Sequence, residues 1–323
     1  MSHLTLSVQV FMNNFFQIAR AGKNSFWRYT LTECIAVAFF LLGMTPLIIV
    51  MIQSRITSPL ITPTMLGISP AMFLALNLLP FAFAGLGLVL AMPYVHKRPF
   101  LSLITPSTTV NLRKIGFAMA LWFGLSLLSD TIAFVLNPEN YIWSFQAAEF
   151  FPIFIVALLL IPLQASIEEL FFRGYLMQCV GLTSRRVFIP LLVVTALFSC
   201  AHILNPEMQS HGMTQMMISY TLVGLLLGVA TIMDESLELA IGIHIANNLY
   251  GVTVVSIPSS ALVSSPLVTQ TNLLPTQMNV QLFIMTCFAL AVFAKKYRWG
   301  SLARLWERVS PREGESTSHA SNV

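Results

Sequence analysis

Apolar positions in this chain come in long unbroken runs rather than in strand-like alternation. A helix that crosses a bilayer needs about 20 mostly apolar residues. Eight stretches meet that need: 32–53, 70–93, 115–136, 150–178, 187–205, 215–233, 237–257 and 277–294. The pattern predicts an all-α fold, a polytopic membrane helix bundle of about eight transmembrane helices. Pro46, Pro80 and Pro162 fall inside three of these runs and are expected to kink them, which neighbouring helices tolerate. There is no internal repeat of the kind that marks many transporters.

The segments between the runs are read by the same contrast. Residues 1–30 place Leu4, Leu6, Val8, Phe11, Phe15, Phe16 and Ile18 ahead of Arg20, Lys23 and Arg28, which reads as an amphipathic segment on the membrane surface. Their order does not fit a cleavable signal peptide. Residues 99–112 are too short and polar to span and are expected along the cytoplasmic interface. Residues 258–276 carry no charge and read as an outer loop or a shallow re-entrant segment. Residues 1–308 form one transmembrane domain in this reading, and 309–323 a disordered cytoplasmic tail.

Composition supports a membrane protein. The chain is 56% hydrophobic and 9% charged, against about 25% charged in soluble proteins, and its mean hydropathy is +0.77. The net charge of +4 is less informative than its distribution. Under the eight-span reading, fifteen of the 17 Lys and Arg residues fall on one side, while Arg55 alone falls opposite and Arg173 lies inside a run. That asymmetry places both termini in the cytoplasm of a bacterial-type plasma membrane. It is no nucleic-acid footprint, which needs a basic face on a folded domain. Cys34, Cys179, Cys200 and Cys287 lie in or beside apolar runs without CxxC spacing, and read as small buried apolar residues.

Candidate chemistry begins with charge inside the membrane. An ionisable residue in a spanning helix costs about 2.5–3.5 kcal/mol on insertion scales and is usually paired and functional. Glu168, Glu169 and Arg173 sit in such a run. Glu169 and Arg173 stand four apart, share a helix face and can neutralise each other. Glu168 points about 100° away and gains nothing direct from Arg173. Gln164, one turn earlier, can hydrogen-bond it. Two further runs carry His202 and His244. Phe198 lies one turn before His202, and Asn248 lies one turn after His244, with Asn247 as a decoy for the same role. His3, His96, His211 and His319 fall in termini or loops and read as bland.

Two chemistries are open to this set. Glu168 and His202 can hold and deprotonate a water while His244 and Asn248 stabilise an oxyanion. Alternatively, Glu168, His202 and His244 are a known type of zinc ligand set, although HExxH spacing is absent. At 1.5 Å per residue, His244 lies about 10 Å and His202 about 22 Å past the cytoplasmic starts of their runs. A shared site then needs tilt, and is expected in the cytoplasmic half of the membrane.

In order, the chain holds EExxxR (Glu168, Glu169, Arg173), FxxxH (Phe198, His202) and HxxxN (His244, Asn248). Over about residues 145–255 it resembles the CPBP family of CAAX prenyl proteases and bacteriocin-processing intramembrane proteases, also called the abortive-infection family. The resemblance implies an eight-helix membrane endopeptidase. It implies water activation by Glu168 and His202, an oxyanion hole of His244 and Asn248, and a supporting pair of Glu169 and Arg173. It leaves both a zinc metalloprotease and a metal-free glutamate mechanism open. Its implied substrate is a peptide or protein, either prenylated or a leader peptide, met in the lipid bilayer. The readings from other classes are a non-catalytic scaffold or immunity protein, and a transporter using Glu168 as a proton relay.

Overall fold

The computed structural model describes residues 14–56, 61–184 and 186–307. The tail expected at 309–323, the first 13 residues of the interfacial segment, His3 and His319 lie outside the described residues. Ten helices organise the rest. They are α1 (Asn14–Arg20), α2 (Phe26–Gln53), α3 (Pro70–Ala91), α4 (Leu112–Leu136), α5 (Ala147–Glu169), α6 (Met177–Thr183), α7 (Phe188–Ala201), α8 (Met213–Asp234), α9 (Glu238–Thr253) and α10 (Pro275–Lys296). A π-helical turn, Met92–His96, extends α3, and another, Leu170–Leu176, joins α5 to α6 without a break.

Among the described residues six helical stretches are long and apolar enough to cross a membrane. The other two expected spans are shorter: α7 has 14 residues and α9 has 16. The all-α polytopic bundle is as expected, while eight full-length spans are not reached among the described residues. Helix α7 ends at Ala201, where the chain turns at His202, and a short helix restarts at Pro206. Helix α9 is enclosed by protein, with every side chain from Leu239 to Ala246 buried. It packs against α4, α5 and α8. Enclosure is what lets it carry His244. Its approach to α4 needs Gly242, where a Cβ would sit 2.4 Å from the Ile115 carbonyl oxygen. Pro46, Pro80 and Pro162 stand inside helices that run on past them.

The two ends of the bundle differ. At one end, α1 buries Phe15, Phe16 and Ala19, and Phe16 packs where Gly181 leaves room on α6. This part of the expected interfacial segment is thus docked on the protein. The first part of the 99–112 stretch is also docked on the protein, while 106–109 is exposed. Its turn Phe100–Leu103 buries Ser102 and Leu103. Gln178 of α6 accepts from Arg98 Nη1 at 2.8 Å and donates to the Ser102 carbonyl at 2.9 Å.

At the opposite end three short strands form a sheet in the order β1 (Tyr141–Trp143), β3 (Val268–Gln270), β2 (Val255–Ser256). Strand β3 runs antiparallel to β1, with Tyr141 opposite Gln270, and parallel to β2, with Val255 opposite Val268. The 258–276 segment is therefore pinned at both ends. Strands of two or three residues are too short for alternation to announce them. The cysteines are corrected too: all four are free, and Cys34, Cys200 and Cys287 are exposed rather than buried.

Candidate active site

The EExxxR motif straddles the change from α to π helix, since Glu169 closes α5 and Arg173 lies in the π turn. Such turns recur at functional sites. Gly174 in this turn lets the Leu103 carbonyl come within 2.9 Å of where a Cβ would stand. Glu169 and Arg173 are fully buried and joined at 2.8 Å. The same Glu169 oxygen accepts from His244 Nδ1 at 2.7 Å. Arg173 also donates to the Gly224 carbonyl at 3.3 Å and lies 4.3 Å from the centre of the Phe198 ring. Charge buried here is thus matched by charge and by a π face.

Glu168 looks the other way. Its Oε1 accepts from Gln164 Nε2 at 2.6 Å. Its Oε2 has no hydrogen-bond partner among the described residues and lies 3.7 Å from His244 Nε2. Gln164 accepts in turn from Asn248 Nδ2 at 3.1 Å, Asn248 from Asn247 at 3.2 Å, and Asn247 from Trp122 Nε1 at 3.3 Å. Indole nitrogen only donates and a carboxylate only accepts. The polarity of this chain of amides is therefore fixed from both ends. Asn247, taken from the sequence as a decoy, is one of its links.

His202 stands just past the end of α7. Its Nδ1 lies 2.7 Å from the Phe198 carbonyl, which can only accept, so Nδ1 carries a proton, and in the neutral ring Nε2 is the acceptor. Tyr220 of α8 stacks on the imidazole at 4.2 Å. Tyr220 donates to Glu207 and accepts from Asn205 Nδ2 at 2.8 Å. Phe198 is the hub, 4.5 Å from the His202 ring and 6.3 Å from that of His244. All of Gln164, Glu168, His202, His244 and Asn248 line one cavity of about 590 Å³.

Asn205, Glu207, Tyr220 and Trp122 line the same cavity and were not found from sequence. A tyrosine within the apolar run 215–233 was the available signal for Tyr220. Zinc does not fit. Among the described residues no three His, Cys, Asp or Glu side chains are grouped to hold a metal.

Comparison with known proteins bears on what this cavity belongs to. Residues 147–250 match the family described as type II CAAX prenyl endopeptidase Rce1-like, a segment that holds Glu168, Glu169, Arg173, His202, His244 and Asn248. The chain is also 34% identical over 244 residues to the uncharacterized protein YyaK of Bacillus subtilis (strain 168), covering 74% of this chain and 81% of the relative. This integral membrane protein belongs to the Rce1-like family, whose members are CAAX-type intramembrane proteases.

Proposed function

We propose that the chain is an intramembrane endopeptidase that hydrolyses a peptide bond with a water activated by Glu168. The observation that carries the reading is the free Oε2 of Glu168, whose carboxylate Gln164 holds through Oε1 and which lies 3.7 Å from His244 Nε2 in a cavity that His202 also lines. Glu168 takes a proton from the attacking water and returns it to the leaving amine. His202 Nε2, an acceptor, helps to hold that water. The tetrahedral oxyanion needs donors. Asn248 has one amide hydrogen left after its bond to Gln164. His244 donates from Nε2 when both of its nitrogens carry protons, with Nδ1 held by the Glu169 carboxylate. Glu169 and Arg173 hold this imidazole in place and touch no reacting atom. Both termini lie in the cytoplasm of a bacterial-type membrane in this reading, as the fifteen-to-one basic asymmetry supports.

The test is cleavage of a quenched-fluorescent peptide library, prenylated members included, by the purified protein in liposomes. Cleavage is expected for wild type, with or without a strong chelator, and is expected to be lost in Glu168→Gln and His244→Ala. Activity that chelator removes and zinc restores overturns the metal-free mechanism. A cellular function that survives Glu168→Gln makes the protein a scaffold instead.

A further inference from the structure

The two site histidines are aimed by different means. His244 sits in the middle of α9 with the Glu169 carboxylate on its Nδ1. His202 stands just past the last turn of α7, at φ −98° and ψ 1°. The turn that carries it is closed by Ile203 N–H to the Cys200 carbonyl at 3.2 Å and by Asn205 N–H to the His202 carbonyl at 3.0 Å. Among the described residues its ring makes one hydrogen bond, from Nδ1 to the Phe198 carbonyl. One such bond leaves an imidazole free to tilt about it.

The remaining restraint comes from α8. The Tyr220 ring lies 4.2 Å from the imidazole and 28° from parallel to it, and Phe198 closes on the imidazole at 4.5 Å. The Tyr220 hydroxyl is held in turn by residues that follow His202. Asn205 Nδ2 donates to it at 2.8 Å, and it donates to Glu207 Oε1. The contacts form a closed circuit. It runs from His202 along the turn to Asn205 and Glu207, across to the Tyr220 hydroxyl, and back through the phenol face to the imidazole. Glu207 is buried, and its Oε2 has no hydrogen-bond partner among the described residues. Keeping a carboxylate there costs stability, and an apolar side chain would pack at lower cost. What the carboxylate adds is direction. It takes the phenol proton and leaves the phenol oxygen to accept from Asn205.

We infer that Tyr220 is a positioning residue for His202, with Asn205 and Glu207 locking its hydroxyl. The inference rests on the protease reading, in which His202 Nε2 holds the attacking water for Glu168. A lone pair is directional, and a displacement of about 1 Å can cost about 10²-fold in rate. The Nδ1 bond fixes where the ring sits, and the phenol face fixes its plane.

His202 is followed first by nitrogen NMR of the full chain in liposomes, with labelled histidine and with His202→Gln to identify its signals. At a pH where the ring is neutral, wild type is expected to show the Nδ1-protonated form alone. Tyr220→Leu is expected to show a mixture, because an imidazole released from the Phe198 carbonyl can carry its proton on either nitrogen. Tyr220→Phe, which keeps the stack, is expected to lie between. An unchanged His202 signal in Tyr220→Leu overturns the inference.

Cleavage of one peptide substrate is then measured per folded molecule. Tyr220→Leu is expected to lower kcat about 10–100-fold, with KM within about twofold of wild type. Tyr220→Phe and Asn205→Ala should each cost about fivefold, the worth of one hydrogen bond. Combined, they should cost less than the product of the two, because both cut the same link. Losses that multiply in full overturn the circuit. A raised KM at unchanged kcat makes Tyr220 a substrate contact and overturns the inference. An altered His202 signal at wild-type kcat supports the positioning and removes His202 from the chemistry. Should wild type cleave nothing, the protease reading fails, while the signal still decides the positioning.

Discussion

The buried histidine in the π turn that extends α3 and the two at the cavity make an instructive contrast. His96 has no exposed surface, and both of its ring nitrogens are engaged, Nδ1 with the Lys23 carbonyl at 3.0 Å and Nε2 with the Tyr175 hydroxyl at 3.0 Å. Tyr175 Oη also approaches the Tyr29 carbonyl at 3.1 Å, so the imidazole is one link in a knot tying α2, α3 and the π turn together. His202 and His244 each have only Nδ1 committed, to the Phe198 carbonyl and to Glu169. Their Nε2 atoms have no hydrogen-bond partner among the described residues. Burial therefore does not separate a working histidine from a structural one here. The ring nitrogen left over does.

Substitution at the two places should give opposite signatures. His244→Ala is expected to lower peptide cleavage by about 10²–10⁴-fold, the usual worth of a positioned acid, base or oxyanion donor. His96→Ala is expected to lower the unfolding free energy by about 1–3 kcal/mol, because it strands the partners of a buried ring. Its activity per folded molecule should stay near wild type. Thermal unfolding in detergent, run beside the cleavage assay, separates the two. Equal loss of activity per folded molecule in both variants would break the contrast.

The next largest effect tests how the site tolerates its charges. Arg173→Met leaves Glu169 buried with only His244 beside it. Loss of one partner of a buried pair costs about 3–5 kcal/mol. Replacing both, as Glu169→Leu with Arg173→Met, should recover most of that stability but not activity, since His244 loses its Nδ1 acceptor. Failure of the double variant to regain unfolding temperature would show that the pair acts through Arg173 and Gly224 rather than through charge matching.

Much of this was legible in the chain. Fold class follows from the length of the apolar runs, and Glu169 with Arg173 follows from helical spacing, which the π turn did not undo. Spacing also put His244 and Asn248 on one face. What sequence could not give is the pairing between helices. Glu168 meets His244 through packing of α5 on α9, which no local pattern encodes. The spans of α7 and α9 were overestimated for a related reason. An apolar run enclosed by protein and one facing lipid look alike in sequence, so length was inferred from a membrane that α9 does not touch over its first half. His96 was passed over because its partners lie 73 and 79 residues away.

A smaller effect should come from the far end of the amide chain. Trp122→Phe keeps the ring packing but removes one of the two groups that fix the direction of Asn247, Asn248 and Gln164, leaving the Glu168 carboxylate alone to hold it. The amides can then turn, and Gln164 presents its oxygen to Glu168 part of the time. Loss of one such bond is worth about 1 kcal/mol, or about fivefold in cleavage rate. A shift in the acid limb of the pH–rate profile, which a loss of packing alone would not cause, is the readout that distinguishes the two causes.

The smallest effect lies at the end of α8, which is not wholly relaxed. Glu235 caps α8 in the left-handed region, with φ of 54°. Burial, with the neighbouring Asp234, pushes its carboxyl up to about 7, against the opposing pull of Arg304. A carboxyl raised above its ordinary 4.5 binds its proton more tightly in the folded state. Its ionisation therefore weakens the fold, by nothing below that ordinary value and by the full amount once the pH has passed about 7. Glu235→Gln should raise the unfolding temperature at pH 8 by about 2 °C and leave it unchanged at pH 4. Glu235→Gly adds a pH-independent gain of about 1 kcal/mol, because glycine adopts the left-handed conformation without strain. A glutamine variant equally stabilised at both pH values would assign the effect to shape rather than charge. Neither change should alter cleavage per folded molecule, because Glu235 does not line the cavity.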